Sequence, residues 1–467
     1  MSTDPGAFRR ALTGTLVVLG AAGLALVVTS ALQGPKVAAT SVDPIAVTEL
    51  AGQQVVIELN QPIVRIDGDL AVDPQLDATV SFEDDLLFVE FAEPLPYATE
   101  VELSINGVVG ESQPNAGTIA HRFTTADADV VTLVRNSPAG EPDRLVRSSV
   151  ADPANPEVLL EAPVLEQFAR AGEVIAATAV QDDGTNSLWI AGGGAGDTPA
   201  QVALPAAGVV RTLGASTTHP IVAFTLDSGT RTAEDADDDY RSALFALDVS
   251  GGAVEPVPVT GPTGEVLQVT EWWFVPGTAS LVVQDFEGAL LLVDPLTGAD
   301  PVALGAHDEL RGVLPGSRTL VVADPDGGTL IDLETGDRAP NDLPVADLPD
   351  GAYPGRVVQL DAAGAYLMQV LLPTIAEDGS TRATALVIRV DDAGTSVLYS
   401  TDESSRMLEF CASPNGRLLA VETAQADAES DRYPNLPSSI DRLTTVVDVV
   451  TAELVLTQQG GSSNWCR

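Results

Sequence analysis

The feature that most limits the fold of this chain is a repeated phrase. Gly288 to Leu304 reads GALLLVDPLTGADPVAL, and Gly327 to Pro340 reads GGTLIDLETGDRAP. Each has a short apolar run, an aspartate, and a turn ending in Thr-Gly. Related phrases begin at Asp143, Asn186, Ser242, Thr384 and Thr444. Copies recur at roughly 40–60 residues, the period of architectures that repeat one four-stranded sheet. Each copy is an outer hairpin. Gly298 and Gly336 stand where such a turn needs a positive φ.

A second phrase precedes the hairpins: an apolar strand, a small turn, and another strand. TEWWFVPGTASLVV, LRGVLPGSRTLVVA and LEFCASPNGRLLAVE follow this form. They read as an innermost strand and its neighbour. Phe410 to Ala420 resembles WD40-like and TolB-like propeller repeats. That resemblance implies a superfold with many functions and fixes no chemistry. The expectation is a seven-bladed β-propeller over 126–467. Its first blade, near Val130, shows only three strands, so Ser463–Cys466 is expected to supply the missing inner strand and close the ring. Cys411 and Cys466 would then lie on adjacent inner strands, and a disulfide between them is expected.

Alternating runs such as QQVVIELNQPI and EVELSINGVV fill the region before the propeller, with the period of half-buried strands. The order Leu59-Asn60-Gln61-Pro62-Ile63, Val72-Asp73-Pro74, Glu93 to Thr99, then His121-Arg122-Phe123-Thr124-Thr125 resembles a bacterial immunoglobulin-like domain of the S-layer type. The resemblance implies an Ig-like β-sandwich over 41–125 that acts as a spacer or adhesive module, with no shared catalytic residues.

Ala11 to Pro35 contains no charge, while Arg9 and Arg10 precede it. A run of this length suits a transmembrane helix. The expected organisation is a cytoplasmic stub at 1–10, an anchor at 11–35, and an all-β remainder outside the cytoplasm, at the cell membrane. A cleaved signal peptide ending near Val37-Ala38-Ala39 is the rival reading.

Acids outnumber bases 67 to 23, for a net charge of −44. Phosphate contacts need a basic surface, so a nucleic-acid partner is excluded as a class. The three histidines, His121, His219 and His307, have no metal-ligand spacing, and no nucleophile elbow or phosphate-binding glycine loop occurs. No cofactor is called for. The acidic run around Asp235, Asp237 and Asp239 is a calcium candidate by its packed carboxylates, weighed against a solvated loop. Asp324-Pro325-Asp326-Gly327-Gly328 is read as a plain turn.

Two long loops, about 228–240 and about 424–441, leave the same end of their blades, where binding usually concentrates. The second offers Arg432, Tyr433, Asn435 and Leu436 to a partner. Trp273, in Trp272-Trp273-Phe274, is either inter-blade packing or a stacking surface. These features point to a binding or scaffolding protein of the cell envelope, more a binder than an enzyme, engaging an envelope protein or cell-wall glycan. The alternative is a propeller hydrolase or lyase acting on cell-wall glycan.

Overall fold

A computed structural model describes residues 13–16, 34–112, 115–136, 139–192, 198–228, 239–251, 255–375 and 381–466 of the 467-residue chain. The chain divides into two compact units that meet between Ala126 and Asp127.

The first unit is a β-sandwich. One antiparallel sheet orders its strands Val37–Ser41, Gln54–Leu59, Leu86–Phe91 and Ala78–Glu83. In the other, the long strand Glu100–Gly110 pairs with Ile63–Ile66, Leu70–Asp73 and Gly117–Thr124. Alternation explains the layers. Val55, Ile57 and Leu59 are buried on one sheet, and Val101, Leu103 and Ile105 on the other, with Glu58 and Glu102 between them exposed. Leu87, Val89, Phe91 and Ile119 complete that core.

Among the described residues the second unit contains seven sheets in chain order, six of them four-stranded and built as consecutive antiparallel meanders. It is a β-propeller, and each sheet is a blade. Blade one holds Asp129–Val134, Asp143–Ser149 and Glu157–Ala162. Blades two to seven start at Leu165, Gly208, Val269, Glu309, Tyr353 and Ser405. Their strands are apolar on both faces because each blade is covered by two neighbours. Ile221–Ser228 is buried through Leu226 without a break. Phe224 packs with Ala176 and Leu188 of blade two, while the adjacent Ala223 packs with Trp272 and Leu281 of blade four.

The ring closes on itself. Leu133 and Gly461 exchange both backbone hydrogen bonds, at 2.8 and 3.1 Å, and Asn464 N–H donates to Val131 O at 3.1 Å. Closure therefore begins at Gly461, earlier than expected. Ser463 to Cys466 forms a turn, with Cys466 N–H donating to Ser463 O, and is not the expected strand. Gly460, at φ 104°, makes the bend that brings the chain alongside Leu133. Cys411, in the innermost strand of blade seven, forms a disulfide with Cys466, with their Cα atoms 5.2 Å apart.

The expected transmembrane helix over 11–35, and with it the single-pass membrane location, is corrected. Among the described residues no helix is long and apolar enough to cross a membrane. Helix of any kind is scarce: residues 13–16 are one helical turn, and Ala46–Glu49 is another. Uncharged sequence met the length rule for a span, but length and hydropathy do not by themselves dictate a continuous helix. Residues 17–33 lie outside the described residues.

Candidate functional site

Strand direction alternates within a blade. The turns between second and third strands therefore share one end of the propeller with the connections from blade to blade. The loop from Ala426 to Arg442 leaves blade seven at this end. Its own fold is set by Asp431, whose Oδ1 accepts N–H bonds from Tyr433 and Ser438 at 3.2 and 2.8 Å.

The loop is fastened to blades one and two. Arg135 Nη1 donates to Asp431 Oδ2 at 2.6 Å and to Leu436 O at 2.8 Å, while its Nη2 donates to Glu166 O. The guanidinium lies 4.5 Å above the Tyr433 ring. Tyr433 Oη donates to Asp143 Oδ2 at 2.6 Å, and the same oxygen accepts from Leu165 N–H. Asn435 donates from both its backbone and its Nδ2 to the Glu166 carboxylate, each at 3.0 Å. Asn186 Nδ2 donates to Glu166 Oε2, and its Oδ1 accepts Val210 N–H of blade three. Beside this cluster, Arg442 Nη1 donates to Glu422 Oε1 at 2.8 Å, and Ser462 N–H donates to Glu422 Oε2.

This network is dry. The Arg135 and Asp431 side chains are 4% and 0% exposed. Burial, then the charge of nearby Arg442, lowers the Arg135 pKa from its ordinary value. Asp143, Glu166, Glu422 and Asp431 are acceptors in fixed bonds, so the arrangement holds blades seven, one, two and three together. Tyr433 is buried and belongs to this latch. Asn435 and Leu436 are half-buried in it, and Arg432 is exposed, with φ 58°.

The other sequence candidates are dispersed. Asp235 and Asp237 lie outside the described residues, and Asp239 is half-buried. Among the described residues no group of three or more His, Cys, Asp or Glu is placed to hold a metal ion. Trp272 is buried and donates from Nε1 to Thr212 Oγ1 at 2.9 Å. Trp273 lies across the next interface, packed with the core shared by blades four and five and against Gly312. His307 and Asp324 meet where blade four leads into blade five. His307 Nδ1 is 2.7 Å from Asp324 Oδ2, and Asp308 N–H donates to Asp324 Oδ1 at 3.0 Å. The bond to His307 holds the Asp324 carboxyl below its ordinary pKa.

One feature was missed in the sequence. Blades four and five are joined by His307 and Asp308 alone, whereas blades five and six are joined by residues 342–352. This strap, DLPVADLPDGA, lays Leu343, Ala346, Leu348 and Ala352 on the core of blade six. Tyr366 Oη donates to Pro344 O at 2.8 Å and fixes it. Between strap and blade remains a cavity of about 330 Å³. Val345, Leu348 and Pro349 form one wall, and Val370, Leu386, Ile388 and Val397 the other. At its mouth Val345 is 95% and Val397 54% exposed. The length of this connector, with two prolines and alternating apolar residues, was the available signal.

No family model matches this chain. No curated protein matches either. Solved structures with a similar arrangement include the dihydro-heme d1 dehydrogenase NirN, at 14% identity and a TM-score of 0.42, covering 72% of this chain and 74% of that one. A TolB-like protein from Agrobacterium tumefaciens shares 12% identity at a TM-score of 0.28, covering 72% and 90% of the two chains. A chain of the mitotic checkpoint complex shares 12% at 0.35, covering 70% and 84%. Likeness at this level carries nothing about chemistry. The propeller assignment rests on the sheets themselves.

Proposed function

We propose that this chain is a non-catalytic binding protein whose propeller engages a protein partner of the cell envelope through blade six. The observation that carries the reading is the strap cavity, with Val345 and Val397 exposed at its mouth. On a chain of net charge −44, an aliphatic opening beside exposed Val345 and Val397 is a place where a partner's apolar side chain can leave water. Its lining favours a protein over a glycan, because sugar sites commonly offer a flat aromatic face, whereas seven of its ten lining residues are Val, Leu, Ile or Pro, the others are Asp347, Gly394 and Thr395, and none is aromatic.

The latch itself is structural: a general acid or base needs a free path to its substrate, and Asp143 and Glu166 are buried in fixed bonds. The Cys411–Cys466 disulfide supports work in an oxidising compartment. The sandwich, two antiparallel sheets around one core, suits an immunoglobulin-like spacer.

Zero-length carbodiimide cross-linking tests the proposal. Lys36 is the only lysine, so the reagent joins this chain's carboxylates to a partner's amines. The expected result is one reproducible protein partner joined at Asp347, Asp350 or Asp392. Cross-links confined to the region around Arg432, or none with any protein, would overturn it.

A further inference from the structure

Among the described residues the outermost strand of blade six, Gly394–Ser400, pairs only with Thr381–Asp391, so its other side is a free edge. Free edges are usually blunted by charge, proline or shortness. Blade five ends in Arg338–Asn341, which carries Arg338 and Pro340, and blade three ends in the two-residue strand Val257–Pro258. The blade-six edge reads GTSVLYS, with no charge and no proline over seven residues; the outermost strands of blades four and seven, VALGA and LVLTQQ, are likewise uncharged but shorter, and what marks blade six is the cavity beside its edge. Edge and cavity are contiguous, because Gly394, Thr395 and Val397 line the cavity as well.

Resting on the protein-partner reading above, we infer that blade six receives an extended segment of its partner as a fifth strand. The segment alternates apolar with basic residues. Main-chain bonds along Gly394–Ser400 provide affinity, and alternate side chains point to one face, as in any strand. One of these enters the cavity against Val345, Leu348 and Val397. A volume of about 330 Å³ takes a large aliphatic or aromatic side chain with space to spare.

Charge selects the rest of the segment. Every charged residue of the strap is acidic, namely Asp342, Asp347 and Asp350, and all three are exposed. Asp347 lies at the cavity and is tied to the edge through its N–H, which donates to Thr395 Oγ1 at 3.1 Å. Exposed Asp392 stands in the turn leading into the edge strand. Its neighbour Asp391 is already paired with Arg389 at 3.0 Å. Lysine or arginine on the partner is therefore attracted on both sides of the apolar anchor, and acidic sequences are repelled.

The test is selection of a displayed pool of short random peptides on the immobilised full chain. The winners are then assayed on the Val345→Lys and Val397→Lys variants. Both residues are exposed, so both variants should keep the parent melting temperature. The expected winners alternate Val, Leu, Ile or Phe with Lys or Arg, and each variant weakens them by about tenfold or more. Winners with helical spacing, winners rich in Asp or Glu, an absence of winners, or affinities untouched by both lysines would overturn the inference. A protein cross-linked at Asp347 or Asp350 whose binding survives both lysines would end the strand-addition inference and leave the proposed function standing. Cross-links confined to the Arg432 region would end both.

Discussion

The Tyr433 hydroxyl donates to Asp143 Oδ2 at 2.6 Å across 290 residues of sequence. This bond ties a loop of blade seven to blade one, beside the point where the segment around Gly461 closes the propeller against Leu133. Tyr433→Phe keeps the ring against Arg135 but leaves a buried carboxylate oxygen one donor short. Loss of such a partner costs about 1–3 kcal/mol. Asp431→Ala strands the Arg135 guanidinium and is expected to cost more, about 3–5 kcal/mol. Chemical denaturation of both variants, with Tyr433→Phe the milder, checks the ranking.

The disulfide is expected to make the second large contribution to closure. Cys411 and Cys466 are 55 residues apart. Constraint of that loop in the unfolded chain is worth about 4 kcal/mol in the chain-entropy picture. A Cys411→Ser, Cys466→Ser double variant should therefore unfold at clearly lower denaturant. Intact-mass measurement after alkylation without reductant should find no modified thiol in the parent.

The propeller was legible because its signal is redundant. The phrases at Gly288 and Gly327 fall on the third and fourth strands of blades four and five, and the Thr-Gly turns at Gly298 and Gly336 adopt the positive φ that their position demands. The Cys411–Cys466 pairing was legible from the strand count, but the position of Cys466 was not, since it lies in a turn beyond Gly461 and not in the expected inner strand. The proposed binding surface was not legible in this way. Arg432, Tyr433, Asn435 and Leu436 read as an exposed recognition loop, since aromatic, basic and proline residues commonly meet partners. Nothing local in the sequence announces that Asp143 and Glu166, 290 and 269 residues earlier, accept that loop's donors. The anchor expectation failed differently: hydropathy over 11–35 was treated as helix, and no described helix has the length.

Acid should loosen the blade-four to blade-five junction. The folded Asp324 carboxyl lies below its ordinary value because of the bond to His307. A depressed carboxylate stabilises the fold fully above the ordinary carboxylate range, near 3.9. That contribution is lost as pH falls through its lowered folded value. Asp324→Asn should remove this part of the acid sensitivity. The parent should thus stay ahead by a constant margin from neutrality down to about pH 5, and the two melting temperatures should converge only as pH falls below about 4.

Gly312 tests the packing of Trp273. Its φ is 117°, and a Cβ there would sit 3.1 Å from the indole ring. Gly312→Ala combines backbone strain with that clash and should cost about 1–3 kcal/mol. Gly298→Ala, with φ 65° and open space around it, adds no clash and should cost less. Denaturation midpoints of the two variants separate the effects.

Amide hydrogen exchange with and without the cross-linked partner, purified, tests the central claim most directly. The free edge Gly394–Ser400 and the strap 342–352 should exchange readily alone and become protected in the complex. The latch around Tyr433 should be slow in both states. Protection confined to the Arg432 region, with the blade-six edge unchanged, would contradict the account.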